Sequence, residues 1–164
     1  MKNNPTRDLA VCAMLSAAAL RFSYVEMLIP FSIGIPGIKL GFANIVTVYV
    51  LYRFGGRYAF AVNTVRIALS ALLFGSVFSA LYSMAGGIVS LSAMLLAKKA
   101  RIFSITGVSM TGGVFHNFGQ LIAAACVVKT VQVVSYLPIL IFSGIAAGIV
   151  NGITAQMCLD RIKI

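Results

Sequence analysis

Apolar positions in this chain run in long, nearly unbroken stretches, and the polar interruptions between them are short. Five stretches, near 8–28, 58–75, 76–97, 107–128 and 133–157, approach the roughly 20 apolar residues with which a helix crosses a bilayer. A sixth, near 38–52, is shorter. It follows the run Ile29-Pro30-Phe31-Ser32-Ile33-Gly34-Ile35-Pro36-Gly37, where two prolines lack an N–H donor and two glycines loosen the backbone. That run reads as a loop at the outer interface, folded back toward the interior, and residues 28–40 as a gate. The pattern therefore predicts an all-α membrane protein: a six-transmembrane-helix bundle forming one integral domain over residues 1–164, with a Pro/Gly outer loop after the first helix.

Charge fixes the orientation of such a bundle. Hydrophobic residues make up 60% of the chain and charged ones 10%, against about a quarter charged in an ordinary soluble domain. Nine of the 13 Lys and Arg residues fall on one side of a six-span layout: Lys2, Arg7, Arg53, Arg57, Lys98, Lys99, Arg101, Arg161 and Lys163. Lys39 and Lys129 fall on the other. This positive-inside bias places both termini in the cytoplasm of a bacterial inner membrane. The net charge of +10 thus reads as a topology signal with attraction to anionic lipid. No basic stripe lies on a soluble element, which argues against a nucleic-acid partner. Lys2 and Arg7 ahead of Ala17-Ala18-Ala19 mimic a secretory leader, but Arg21 follows at once and no soluble segment comes after it. Cys12, Cys126 and Cys158 lie in separate apolar stretches and suggest neither a zinc site nor a disulfide framework.

Small residues recur at helical spacing. Gly144, Gly148 and Gly152 stack on one face of the last helix, a typical close helix–helix contact in lipid. Internal packing is the favoured use. On the first helix Ala10, Ala13 and Ala17 line a comparable face, suited either to internal packing or to a second membrane protein. The Gly86-Gly87 and Gly112-Gly113 pairs fall within apparent spans, where a neighbouring backbone or a ligand can come close.

Polar groups at bilayer depth are costly, at about 2.5 to 3.5 kcal/mol per ionised side chain on insertion scales. Arg21 and Glu26 lie about 20 and 27 Å from the cytoplasmic end of the first helix, and Arg66 about 14 Å into the third. His116, Asn117 and Gln120 reach a similar depth. Asn44 and Asn63 add amides, Lys39 stands at the outer rim, and Tyr24, Tyr82 and Ser83 are further lining residues. Arg21 paired with Glu26, with interhelical hydrogen bonds for the rest, is one reading. A spacing of five is poor for an ion pair on a helix, however, and Arg66 has no acid near it in the sequence. The alternative is that Arg66, helped by Arg21 or Lys39, awaits an anionic group of a ligand. His116 fits ligand contact and a satisfied interior role equally.

Other chemistry is missing from the sequence. There is no phosphate-binding Gly-rich loop with Lys for a nucleotide cycle. No acidic pair could hold Mg²⁺ against a diphosphate, and no acid stands near the single histidine to orient it. The expectation is a chain that is not an enzyme by itself, with no catalytic residue, no metal and no cofactor.

The segments Ile35-Pro36-Gly37-Ile38-Lys39-Leu40-Gly41-Phe42-Ala43-Asn44, Arg66 with Leu69-Ser70 and Phe74-Gly75, Gly86-Gly87 with Ser90 and Met94, and His116-Asn117-Phe118-Gly119-Gln120 resemble the membrane family labelled heptaprenyl diphosphate synthase component I, also called the Gx transporter family. The resemblance covers nearly the whole chain. By shape that family is similar to the substrate-binding S components of energy-coupling factor (ECF) transporters. That likeness implies Ala13 and Ala17 as docking residues for a transmembrane coupling subunit driven by an ATPase pair. It also implies Arg66, His116, Asn117 and Gln120 facing the substrate, with Lys39 and Asn44 at its lid. The full expected binding set is Arg21, Glu26, Lys39, Asn44, Arg66, Tyr82, His116, Asn117 and Gln120, with Ala10, Ala13 and Ala17 for docking. The expected function is capture of a small anionic metabolite or vitamin-like compound. The family label implies instead a noncatalytic membrane partner of a soluble prenyl diphosphate synthase in isoprenoid quinone synthesis.

Overall fold

The computed structural model describes residues 5–28, 41–129 and 131–162. Six α-helices follow one another: α1 (Pro5–Leu28), α2 (Ala43–Arg53), α3 (Gly56–Leu73), α4 (Val77–Ala100), α5 (Ile105–Val128) and α6 (Leu137–Arg161), with a 3-10 turn at Val131–Tyr136 leading into α6. No strand occurs among the described residues. The helix boundaries have local causes. Ser76 caps α4 by accepting the Ser79 N–H at 3.1 Å, and Ser104 caps α5 by accepting the Gly107 N–H at 3.1 Å. Pro138 sits in the first turn of α6, where its missing N–H costs nothing. Left-handed backbone at Arg101 and Lys129 stops α4 and α5.

Among the described residues, four helical segments are long and apolar enough to cross a membrane: Thr6–Leu28, Val77–Ala100, Ile105–Val128 and Val134–Arg161. The chain is a membrane protein on that composition. The expectation of six full spans narrows accordingly. At 11 residues α2 is only about 16 Å long, roughly half a hydrocarbon core. α3 has 18 residues, but Arg57, Asn63 and Arg66 dilute its apolar character.

The short α2 is nonetheless the centre of the core. Val48, Val50 and Leu51 are completely buried, and Ile45, Val46, Thr47 and Tyr49 nearly so. α2 packs against α1, α3 and α6, while α5 is sandwiched between α4 and α6. An apolar helix buried all round needs no amphipathic stripe. The outer helices instead turn Met14, Leu72, Leu96 and Phe142 outward, each more than 70% exposed, as a lipid-facing surface requires.

The glycine face of α6 packs internally. A Cβ on Gly144 would lie 2.9 Å from the Gly113 backbone, one on Gly148 2.5 Å from Met110 Cα, and one on Gly152 2.6 Å from Thr106 Cα. α5 and α6 therefore touch backbone to backbone, as helices without intervening side chains can in lipid. The Ser90 hydroxyl of α4 donates to the Gly112 carbonyl of α5 at 2.8 Å.

Basic residues gather at one end of the bundle. Lys98 Nζ donates to the Leu51 carbonyl at 2.7 Å and stands 4.6 Å from the Tyr52 ring centre. Leu95 packs over Gly56. The α2–α3 turn, carrying Arg53 and Arg57, thus lies beside the end of α4 that carries Lys98, Lys99 and Arg101.

Candidate functional site

On α1 the inward stripe is Cys12, Ser16, Ala19, Ser23 and Glu26, spaced alternately four and three residues apart, with Cys12, Ser16 and Ala19 buried. On α3 the facing pair is Asn63 and Arg66, three residues apart. These two helices supply the core of a polar cluster in an otherwise apolar interior. Arg66 Nη1 donates to Ser23 Oγ at 3.2 Å, and Nη2 donates to Asn63 Oδ1 at 2.8 Å. The Glu26 carboxylate acts electrostatically on Arg66 and accepts the Gly41 backbone N–H just ahead of α2. The Gly41 carbonyl in turn accepts Asn151 Nδ2 of α6 at 3.1 Å. Arg66 thereby joins α3 to α1, and Glu26 joins α1 to the start of α2 and, through Gly41, to α6.

This arrangement corrects one expectation. Arg66 does have an acid of its own chain within electrostatic reach, Glu26, which is 40 positions away in sequence. Arg21 and Glu26 do not form the pair considered from sequence. Five residues on a helix turn the side chains about 140° apart, so Arg21 faces outward while Glu26 faces in.

The cluster is not fully satisfied. Arg66 Nε and Asn151 Oδ1 are buried with no hydrogen-bond partner among the described residues. One is a charged donor and the other an acceptor, and each such orphan costs about 1–3 kcal/mol or more. Arg66 Nε can take an acceptor, and Asn151 Oδ1 can take a donor.

The Gly86-Gly87 pair of α4 separates this cluster from a second polar set. A Cβ on Gly87 would collide with the Asn63 amide, and one on Gly86 would lie 2.8 Å from Gln120 Cγ and 3.1 Å from His116 Cε1. His116 and Gln120 of α5 therefore flank one glycine and Asn63 of α3 the next. Asn117 turns elsewhere, donating through Nδ2 to the Leu140 carbonyl at 2.7 Å and to Ser143 Oγ at 3.3 Å, and so fastens α5 to α6.

The remaining expected residues disperse. Asn44 is half-buried in the first turn of α2, its backbone N–H bonded to the Gly41 carbonyl at 2.8 Å. Tyr82 is half-buried on α4. Arg21 lines a groove on the outside of α1 and α3 with Leu20, Tyr24, Leu73 and Phe74. Lys39 and nearly all of the expected gate, residues 29–40, lie outside the described residues. Ala10, Ala13 and Ala17 are exposed on the face of α1 opposite the inward stripe. Ser23 and Asn151 belong to the cluster although sequence reading passed over them. Ser23 continues the four-and-three stripe that begins at Cys12, and Asn151 is a lone amide within an apolar, glycine-lined helix. No group of three His, Cys, Asp or Glu able to hold a metal occurs among the described residues.

A family model described as heptaprenyl diphosphate synthase component I matches residues 15–158. No curated protein and no solved structure matches the chain. With most of its length matched, the chain belongs to the heptaprenyl diphosphate synthase component I family.

Proposed function

We propose that this member of the family is a substrate-binding membrane subunit, in which the cluster around Arg66 holds a small anionic metabolite or vitamin-like compound. The observation that carries this reading is the orphaned Nε edge of Arg66, buried at one end of a polar network whose other end, Asn151 Oδ1, is orphaned as well. Because Glu26 already acts on Arg66, the ligand must share the guanidinium with that carboxylate. The acid group satisfies the orphaned donor of Arg66. In this reading the chain lies in a bacterial inner membrane with both termini cytoplasmic, in line with the basic residues gathered at one end of the bundle. Release into the cell requires a second conformation of lower affinity. Partner ATPases and a transmembrane coupling subunit would drive that change, and the exposed Ala10, Ala13 and Ala17 face offers the coupling subunit a smooth contact.

The family description favours a second reading: a membrane subunit, not catalytic alone, of a synthase that makes heptaprenyl diphosphate. The chemistry would then belong to a soluble partner. Affinity purification in mild detergent separates the two. Co-purification of a paired ATPase with a membrane subunit supports capture and transport. Recovery of an Asp-rich prenyl synthase, with a gain in its product formation on adding this chain, would replace that reading with the second.

A further inference from the structure

Arg21 has a chemistry of its own, apart from the Arg66 cluster. It lies on the outward face of α1 in line with Ala10, Ala13 and Ala17, seven residues and about 10 Å short of Leu28 at the end of the helix. Its groove, with a volume of ≈ 370 Å³, is lined by Leu20, Tyr24, Leu73 and Phe74. The rings of Tyr24 and Phe74 sit 5.5 Å apart at 59° and brace the α1 wall against the end of α3. Leu73 is 66% exposed, and the surface runs on into the exposed Leu72 and Val77. Among the described residues the groove is therefore an apolar channel on the outer face of the bundle, with the Arg21 guanidinium set into it. Glu26, the nearest acid along α1, is directed to Gly41 and Arg66.

A cation at this depth is costly unless an anion comes to it. We propose that the groove binds one phosphate-headed lipid of the adjacent leaflet. Arg21 takes the phosphate in a forked contact, and the acyl chain lies along Leu20, Leu73 and Phe74. The phosphate is then drawn one to two turns below the end of α1, and the leaflet thins locally there. Arg21 thus serves lipid contact rather than the captured compound.

Native mass spectrometry of the intact protein, titrated with phosphatidylglycerol, tests this. The wild-type protein is expected to hold one tight phosphatidylglycerol adduct, and Arg21→Ala to weaken it about tenfold or more. Leu73→Glu, which puts a like charge on the opposite wall and leaves Arg21 in place, is expected to expel the lipid too. Diacylglycerol, with the tails and no phosphate, should not bind, and inorganic phosphate should not displace the adduct. Equal retention by Arg21→Ala eluting as folded protein overturns the proposal. Equal binding of diacylglycerol, displacement by inorganic phosphate, or an adduct that survives Leu73→Glu would overturn it as well.

Discussion

Asn63 Oδ1 accepts a hydrogen bond from Arg66 Nη2 at 2.8 Å, and the same amide lies so close over Gly87 that no side chain fits there. The cation of α3 is thus positioned by a residue that itself depends on a missing Cβ in α4.

Gly87→Val follows directly from that contact. The added side chain must displace Asn63, and with it the hydrogen bond that holds one side of the guanidinium, leaving the one to Ser23. Overpacking of this kind costs about 1–3 kcal/mol, which thermal unfolding of the detergent-solubilised protein would register as a lowered midpoint. An unchanged midpoint would show that Asn63 has room to move.

The α5–α6 contact makes a harsher case. Gly144 meets the Gly113 backbone, which cannot swing aside as an amide side chain can. Gly144→Leu should therefore separate the two helices and destabilise by at least the upper part of that 1–3 kcal/mol range. Gly55→Ala is the contrast: the space is open, and the cost is backbone strain alone, about 1–3 kcal/mol, because φ is +98° and ψ 178°, a region that only glycine readily adopts. If Gly144→Leu leaves the thermal midpoint unchanged, the close packing of α5 on α6 is wrong.

Glu26 and Arg66 should be energetically coupled. In a double-mutant cycle of Glu26→Gln and Arg66→Gln, the double variant is expected to be less damaged than the two single effects added, by about 0.5–3 kcal/mol. Additive effects would mean that the carboxylate acts only through Gly41.

The capping serines offer a smaller effect of known size. Ser76→Ala and Ser104→Ala each remove the acceptor for a first-turn N–H and should cost about 1 kcal/mol apiece, additively, since they start different helices. A Ser104→Ala midpoint equal to wild type would place that helix start elsewhere.

Much of this fold is legible in the apolar stretches. The stretches near 76–97 and 107–128 match α4 and α5 to within three residues at each end, the ends being set by serine caps and left-handed stops. The last stretch, near 133–157, starts in the 3-10 turn, and α6 runs on to Arg161. The segment near 38–52 contains α2 from Ala43; its brevity was visible, and its place at the buried centre was not, because hydropathy does not distinguish lipid from protein as surroundings. The cluster was less legible for a different reason. Periodicity relates residues three or four apart, so Asn63 with Arg66 can be read from α3 alone. Interactions such as Glu26 with Arg66, or Asn151 with Gly41, join positions 40 and 110 residues apart and depend on which helices become neighbours. Asn117 shows the same limit: depth and the family resemblance group it with His116 and Gln120, while one step around the helix turns its amide to α6.

In the proposed function the Arg66 cluster holds an acid brought from outside the chain. Mass spectrometry of small molecules released from protein purified in mild detergent tests it, comparing wild type with Arg66→Ala at matched elution and fold. The wild-type protein should release a low-mass acid, and Arg66→Ala should have lost it, with rebinding weakened about thirtyfold or more. The same compound in the same amount from both proteins, or none from wild type in its native membrane extract, would contradict the account.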